Sequence, residues 1–236
     1  EKLDPQQLNN LLNIYLSDVG RVLMEEGAYL DKFIGDAIVA FWNAPVPQAD
    51  HALRAVRAAL RCQRLLAGKQ AEYVERAAGM PVRMRIGLNT GQVVVGNMGS
   101  ADRFNYTMLG DAANLASRLE GANKAFGTYL MVSETTWSQL GGAVPGRELA
   151  RIRVVGRKNP VLVYEPLALP GEPAPTWLPT YEKGLACVRE RQCSAAAELF
   201  ATLSGDAAAS VYAKRCRALA EGIEADWDGV WNLTEK

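Results

Sequence analysis

The stretch Leu30-Asp31-Lys32-Phe33-Ile34-Gly35-Asp36-Ala37-Ile38-Val39-Ala40-Phe41-Trp42-Asn43-Ala44-Pro45 decides how the chain is read. Two short apolar runs, Tyr29–Phe33 and Ala37–Trp42, flank a Gly35-Asp36 pair. Short β-prone runs around Gly-Asp predict a β-hairpin with an aspartate at its tip. Turn chemistry alone can account for an aspartate beside a glycine. Lys32 stands four residues earlier, where a solvated strand lysine would be unremarkable.

Outward from the hairpin, the pattern alternates between helix and strand. Upstream, Asp4-Pro5 is a cap-then-proline start, and Leu8, Leu11, Leu12, Tyr15, Leu16, Val19 and Leu23 repeat at helical spacing, predicting a helix over 5–27 that stops at Gly27. Downstream, 43–47 is a loop and 48–77 an Ala/Leu/Arg-rich helix with Ala52, Leu53, Val56, Leu60 and Leu65 on its apolar face. Val82–Leu88 alternates Val82, Met84 and Ile86 with Arg83 and Arg85, which predicts a half-buried strand. A second strand, Gln92–Asn97, follows around a Thr90-Gly91 turn. Gly110-Asp111 opens a helix through Lys124, Tyr129–Val132 is a short buried strand, and Ser133 caps a short helix over 134–140. Arg151–Val155 and Val161–Glu165 form another antiparallel pair around Gly156. Interleaved helices and hairpins predict an α+β fold rather than a strictly parallel sheet.

Near residue 168 the character changes. Pro170, Pro173, Pro175 and Pro179 mark a linker over 168–180, and helices follow over 181–191, 193–203 and 207–221. Tyr181, Gly184 and Leu185, with Ala195-Ala196-Ala197, Leu199 and Phe200, resemble one tetratricopeptide helix pair; a plain helical extension fits equally well.

Composition narrows the function classes. Lys+Arg and Asp+Glu are 26 each, so the basic excess of a nucleic-acid partner is missing. No apolar run approaches the ~18 residues of a membrane span, and no secretory signal is visible. Cys62, Cys187, Cys193 and Cys216 lack metal-ligand spacing and read as reduced thiols of a cytosolic protein. His51, the single histidine, sits beside Asp50 at a helix start and reads as a surface residue.

A second long segment, Tyr106-Thr107-Met108-Leu109-Gly110-Asp111-Ala112-Ala113-Asn114-Leu115-Ala116-Ser117-Arg118-Leu119-Glu120, completes the set. Between it and the hairpin stand Arg85-Ile86-Gly87-Leu88-Asn89-Thr90-Gly91 and Val95-Gly96-Asn97-Met98-Gly99. Together these resemble the catalytic domain of class III adenylate cyclases over roughly residues 1–167. The resemblance implies a ferredoxin-like mixed or antiparallel sheet with flanking helices; beyond it the sequence places the 168–180 linker and a C-terminal helical extension over 181–236. It implies that Asp36 is one of two metal-binding aspartates for two divalent cations, Mg²⁺ or Mn²⁺, hard ions that favour oxygen ligands.

Lys32 then matches the lysine that donates to an adenine ring nitrogen, and Thr107 the residue that accepts from the exocyclic amine. Many relatives carry Asp at the position of Thr107, and a subset carries Thr or Ser. Guanine-selective relatives have an acidic residue in place of Lys32, so ATP is the expected substrate and guanylate cyclase the weaker reading. Asn114 would orient the ribose and Arg118 bind the α-phosphate in the transition state. Val155-Gly156-Arg157-Lys158 resembles the family's Lys-Gly-Lys turn, with Val155 departing from it. Arg157 would contact the terminal phosphates, with Lys158 as the alternative.

The family's first strand, which supplies the other metal aspartate, would precede Glu1, and Asp4 at a helix start does not replace it. Relatives carry sensory or membrane domains upstream, so the expected setting is a cytoplasmic catalytic domain in intracellular signalling. Asp36 together with Lys32, Thr107, Asn114 and Arg118 on one chain suits a head-to-tail homodimer with two equivalent shared sites. The competing expectation is a catalytically silent nucleotide-binding domain.

Overall fold

The computed structural model describes residues 3–100, 102–223 and 226–233. In chain order the elements are α1 (Pro5–Glu25), β1 (Tyr29–Ile34), β2 (Ala37–Phe41), α2 (His51–Gly68), α3 (Gln70–Arg76), β3 (Ile86–Leu88), β4 (Val94–Gly99), β5 (Phe104–Leu109), α4 (Asp111–Phe126), β6 (Leu130–Ser133), α5 (Glu134–Trp137), β7 (Gly146–Arg153), β8 (Val161–Pro166), α6 (Leu178–Arg189), α7 (Cys193–Ala201), α8 (Ala207–Ala220) and β9 (Val230–Asn232). They form two compact units. One holds the residues up to Met84 with Thr90–Leu115, the other Arg85–Asn89 with the residues from Ala116 on.

In the first unit, α1 starts as its sequence dictates. Asp4 caps it by accepting from the Gln7 amide at 2.9 Å, and the Gln7 side chain returns a bond to the Asp4 amide. Tyr15, Val19 and Val22 of α1 and Ala52, Ala55, Val56, Ala59 and Cys62 of α2 are buried core residues. Two buried carboxylates pin the helices together. Asp18 accepts from Lys69 at 2.7 Å and from the Tyr73 hydroxyl at 3.0 Å, and Glu26 pairs with Arg57 and Arg61. Burial by itself would raise the Asp18 pKa. The bonds from Lys69 and Tyr73 and the charges of Lys69 and Arg21 outweigh it and hold the carboxyl below its ordinary value.

Three expectations from the sequence do not hold. The helix expected over 48–77 breaks after Gly68, at Lys69, which ends α2 and precedes α3. Glycine weakens a helix locally, and the Lys69 ammonium is drawn to Asp18. The strand expected over Val82–Leu88 shrinks to Ile86–Leu88. The backbone before it bonds to glutamine side chains instead: Gln70 closes a two-way pair with Val82, and Gln63 donates to the Met84 carbonyl. Nor do the two strands around Thr90-Gly91 pair with each other. β4 pairs antiparallel with β5, while β3 pairs parallel with β6.

The second unit is built on a mixed five-stranded sheet of order β3-β6-β8-β7-β9, flanked by helices, as the α+β reading requires. Gly87 of β3 lies against α4 so closely that an added Cβ would fall 2.2 Å from the Ala116 carbonyl oxygen. Asn123 of α4 is fully buried and donates to the carbonyls of Ile86 and Leu119, while its own carbonyl accepts from Thr128. β7 begins at Gly146, five residues before the expected strand start at Arg151. β9, which no periodicity announced, adds in parallel to β7.

The C-terminal helices pack through aromatic rings. Tyr181, Phe200 and Tyr212 are buried together, with Phe200 and Tyr212 stacked at 5.0 Å. Gly184 leaves room for the Phe200 ring, which an added Cβ would meet at 2.8 Å. The Tyr212 hydroxyl donates to the Leu149 carbonyl of β7 at 2.6 Å. Beside them Arg147 is buried between Glu165 at 2.7 Å and Asp206 at 2.9 Å, its guanidinium 4.4 Å from the Tyr181 ring centroid. Removing one partner of a buried ion pair strands the other charge, typically at a cost of about 3–5 kcal/mol. Arg147→Ala is therefore expected to lower the unfolding free energy by about that amount in urea titrations. A loss below about 1 kcal/mol would mean that Glu165 and Asp206 find other partners.

Candidate active site

The hairpin β1–β2 forms as its sequence requires. Ile34 pairs with Ala37, leaving Gly35 and Asp36 as a two-residue loop, and Gly35 has φ +63°. Positive φ at the first loop position is what a tight hairpin turn of the II′ kind demands, and glycine meets it without strain. Asp36 is thereby held exposed at the tip.

Lys32 and Thr107, 75 positions apart in sequence, are brought into contact. The Lys32 ammonium donates to the Thr107 hydroxyl oxygen at 3.0 Å. β5 is set against β1 by aromatic packing: the ring of Tyr106 lies 5.1 Å from Tyr29 and 6.3 Å from Phe41. A third residue joins them. Asp31 accepts from the Thr107 hydroxyl at 2.7 Å and pairs with the Lys32 ammonium at 3.4 Å. Successive strand residues normally face opposite ways. The β1–β2 register shifts between Leu30 and Lys32, and this irregularity lets Asp31 and Lys32 reach the same threonine. The Asp31 side chain is 2% exposed and that of Lys32 44%, so a buried anion underlies an accessible cation. Sequence reasoning missed Asp31; the one available signal was a second charge next to Lys32 in an otherwise apolar strand.

Asn114 and Arg118 lie one turn apart on α4, Asn114 exposed and Arg118 half-buried. Arg118 meets the turn that carries Arg157: its Nη2 would lie 3.3 Å from a Cβ placed on Gly156, which has φ +77°. Its Nη1 is buried and has no hydrogen-bond partner among the described residues. A guanidinium with an unused buried donor is suited to an oxyanion. The turn is itself braced. Arg157 donates its amide to the Val154 carbonyl at 3.1 Å, and Arg153 donates to the Lys158 carbonyl at 3.0 Å. Arg153 also donates to Asn232, so β9 reaches the base of this turn.

Among the described residues no group of three or more His, Cys, Asp or Glu side chains could hold a metal. Asp36 offers one exposed carboxylate on a rigid turn, and Mg²⁺ is commonly held by one or two carboxylates together with substrate phosphates and water. Asp36 thus fits as one protein ligand of a cation carried with a polyphosphate. Asp4 is engaged as the α1 cap and does not supply a second.

Residues 1–164 match the family described as the adenylate and guanylate cyclase catalytic domain. Adenylate cyclase 1 of Rhizobium meliloti is 36% identical over 166 residues, covering 70% of this chain and 25% of its own length. The guanylate cyclase soluble subunit beta-2 of Rattus norvegicus is 34% identical over 118 residues, covering 50% of this chain and 16% of its own length. Among solved structures, the adenylyl cyclase CyaB from P. aeruginosa superposes with TM-score 0.64 at 31% identity, covering 71% of this chain and 85% of that one. The guanylyl cyclase Cya2 gives TM-score 0.63 at 35% identity, covering 73% and 85%. The chain therefore spans about a quarter of the Rhizobium enzyme but most of the two solved domains. The chain belongs to the adenylate and guanylate cyclase catalytic domain family.

Proposed function

We propose that this domain converts ATP to 3′,5′-cyclic AMP and pyrophosphate at sites shared by two copies of the chain. Relatives of both base specificities match it, so family membership leaves the base open. The observation that carries the choice is the Lys32–Thr107 contact. The edge of adenine offers a ring-nitrogen acceptor beside an amino donor. An ammonium next to a hydroxyl oxygen offers the complementary donor and acceptor.

In this reading the ribose 3′-hydroxyl attacks the α-phosphorus in line and pyrophosphate leaves. Lys32 and Thr107 hold the base, Asn114 orients the ribose, and Arg118 turns its buried N–H groups on the α-phosphate as negative charge builds there. Donors fixed in place before the reaction stabilise such charge without reorganising. Arg157 binds the terminal phosphates. Asp36 would hold a divalent cation, Mg²⁺ or Mn²⁺, one of the two that the family resemblance implies. Such cations, when bound, lower the pKa of the attacking hydroxyl and offset charge on the leaving group.

Sharing between chains is supported by exposed apolar side chains on the hairpins. Phe33 and Ile34 flank the β1–β2 tip, and on the β4–β5 hairpin Val94 and Leu109 stand opposite each other, both exposed, with Phe104 at the far end. Large apolar side chains exposed side by side, as Val94 and Leu109 are, are what an association between chains would cover.

The direct test is product analysis with ATP or GTP and with Mg²⁺ or Mn²⁺. Formation of cyclic AMP well above cyclic GMP is the expected outcome, and the reverse preference would overturn the reading. Lys32→Glu is expected to lower kcat/KM for ATP by about 100-fold or more, since a site built on hydrogen bonds rejects a mismatched edge strongly. Unchanged turnover and affinity for ATP in that variant would remove Lys32 from base recognition.

A further inference from the structure

We propose that Asp31 sets the hydrogen-bond polarity of Thr107 and is thereby a specificity-determining positioning residue for adenine over guanine; this rests on the reading of the domain as an ATP cyclase. A threonine hydroxyl is ambivalent, one donor and two acceptor lone pairs, with the proton free to rotate. By itself it would accept from the amino group of adenine or donate to the carbonyl of guanine with little preference. Here the proton has a fixed destination. The Thr107 hydroxyl donates to Asp31 Oδ2 at 2.7 Å, and the salt-bridged carboxylate has only acceptors to offer in return.

With its proton committed, Thr107 presents lone pairs alone. One takes the Lys32 ammonium at 3.0 Å, and the other remains for a ligand donor. Lys32 has three N–H donors; Thr107 and Asp31 engage two, at 3.0 and 3.4 Å, and the third remains for a ligand acceptor. The triad therefore displays one donor and one acceptor side by side. Guanine would bring a donor to the ammonium and an acceptor to the lone pair, a mismatch at both places.

Two further observations support a role in specificity over a purely structural one. Asp31 stands where the β1 register shifts, so the strand gives up regular pairing to aim it at Thr107. Its second oxygen, Oδ1, is buried with no hydrogen-bond partner among the described residues. An unsatisfied buried carboxylate oxygen is costly, and packing alone would be served better by an apolar side chain.

The test compares Asp31→Ala with Asp31→Asn in the intact protein. The readout is the ratio of kcat/KM for ATP over GTP, and the ratio for ATP over purine riboside triphosphate, which lacks the 6-amino group. Asp31→Ala frees the hydroxyl proton, so both ratios are expected to fall by about tenfold or more. Asp31→Asn keeps an acceptor oxygen toward Thr107 and is expected to retain most of both. Wild-type ratios in a folded Asp31→Ala protein would overturn the proposal. So would an Asp31→Asn protein that loses discrimination, which decides the matter even where the alanine variant does not fold. Dissociation constants for 3′-deoxy-ATP and 3′-deoxy-GTP, which lack the attacking hydroxyl, read the same preference without turnover. A wild-type protein that binds 3′-deoxy-ATP selectively yet makes no cyclic AMP would refute the cyclase reading and leave the role of Asp31 standing. Equal binding of the two analogues by wild type would refute the specificity claim.

Discussion

Replacing Asp36 with alanine is expected to reduce cyclase turnover by about 10³-fold or more, which is about 4 kcal/mol of transition-state stabilisation, with the fold intact. Asp36 is exposed on a two-residue turn whose geometry is set by Gly35, so its side chain is not needed to close the hairpin. Turn formation can be separated from metal binding with one more variant. Asparagine serves a tight turn as well as aspartate does, but it is a poor ligand for a hard divalent cation. Asp36→Asn is thus expected to fold normally and to be nearly as inactive as Asp36→Ala. Turnover measured over a Mg²⁺ and Mn²⁺ titration, beside a thermal melt, checks both points. If Asp36→Asn is active and Asp36→Ala is not, the residue is a turn former only.

The sequence made this hairpin readable because everything needed to form it is local: two apolar runs, a glycine at the position needing positive φ, and a two-residue loop. The cap of α1 and the Ser133 cap of α5 were readable for the same reason. What could not be read is non-local. Val82–Arg85 has the alternation of a strand, but its backbone bonds go to side chains of Gln63 and Gln70, and no periodicity encodes that. β9 is three residues long and exists because β7 offers an edge.

The candidate site divides in the same way. Lys32, Asp36, Thr107, Asn114, Arg118 and Arg157 could be named because a long ordered pattern surrounds them. The structure joins Lys32 to Thr107 and sets Arg118 against the Gly156 turn. Asp31 stayed hidden because its importance depends on an irregularity in strand register. No pattern in the sequence marks Arg147; only the fold surrounds it with Glu165, Asp206 and Tyr181.

Mixing two inactive variants should restore activity if the sites are shared. One variant carries Asp36→Ala, the other Arg118→Ala, and each alone is expected to lose about 10³-fold or more, since on the proposed roles one lacks a metal ligand and the other a donor to the transition state. In a two-fold symmetric dimer each half of the interface occurs twice. If one site draws Asp36 from one chain and Arg118 from the other, a mixed dimer gathers both lesions into one site and leaves the second whole. Activity should then recover to about half of wild type per heterodimer, a gain of several hundredfold over either parent. If Asp36 and Arg118 instead served the same site within one chain, every site of the mixed dimer would carry a lesion and nothing would recover. Heterodimer formation must be shown separately, by pulling down one tagged variant and detecting the other. The apolar side chains exposed on the β1–β2 and β4–β5 hairpins supply an independent handle. Val94→Lys with Leu109→Glu should weaken association without touching Lys32, Thr107 or Arg118. Complementation that falls in step with dimer content would tie the recovered activity to the interface, and recovery in a monomeric preparation would refute the shared site.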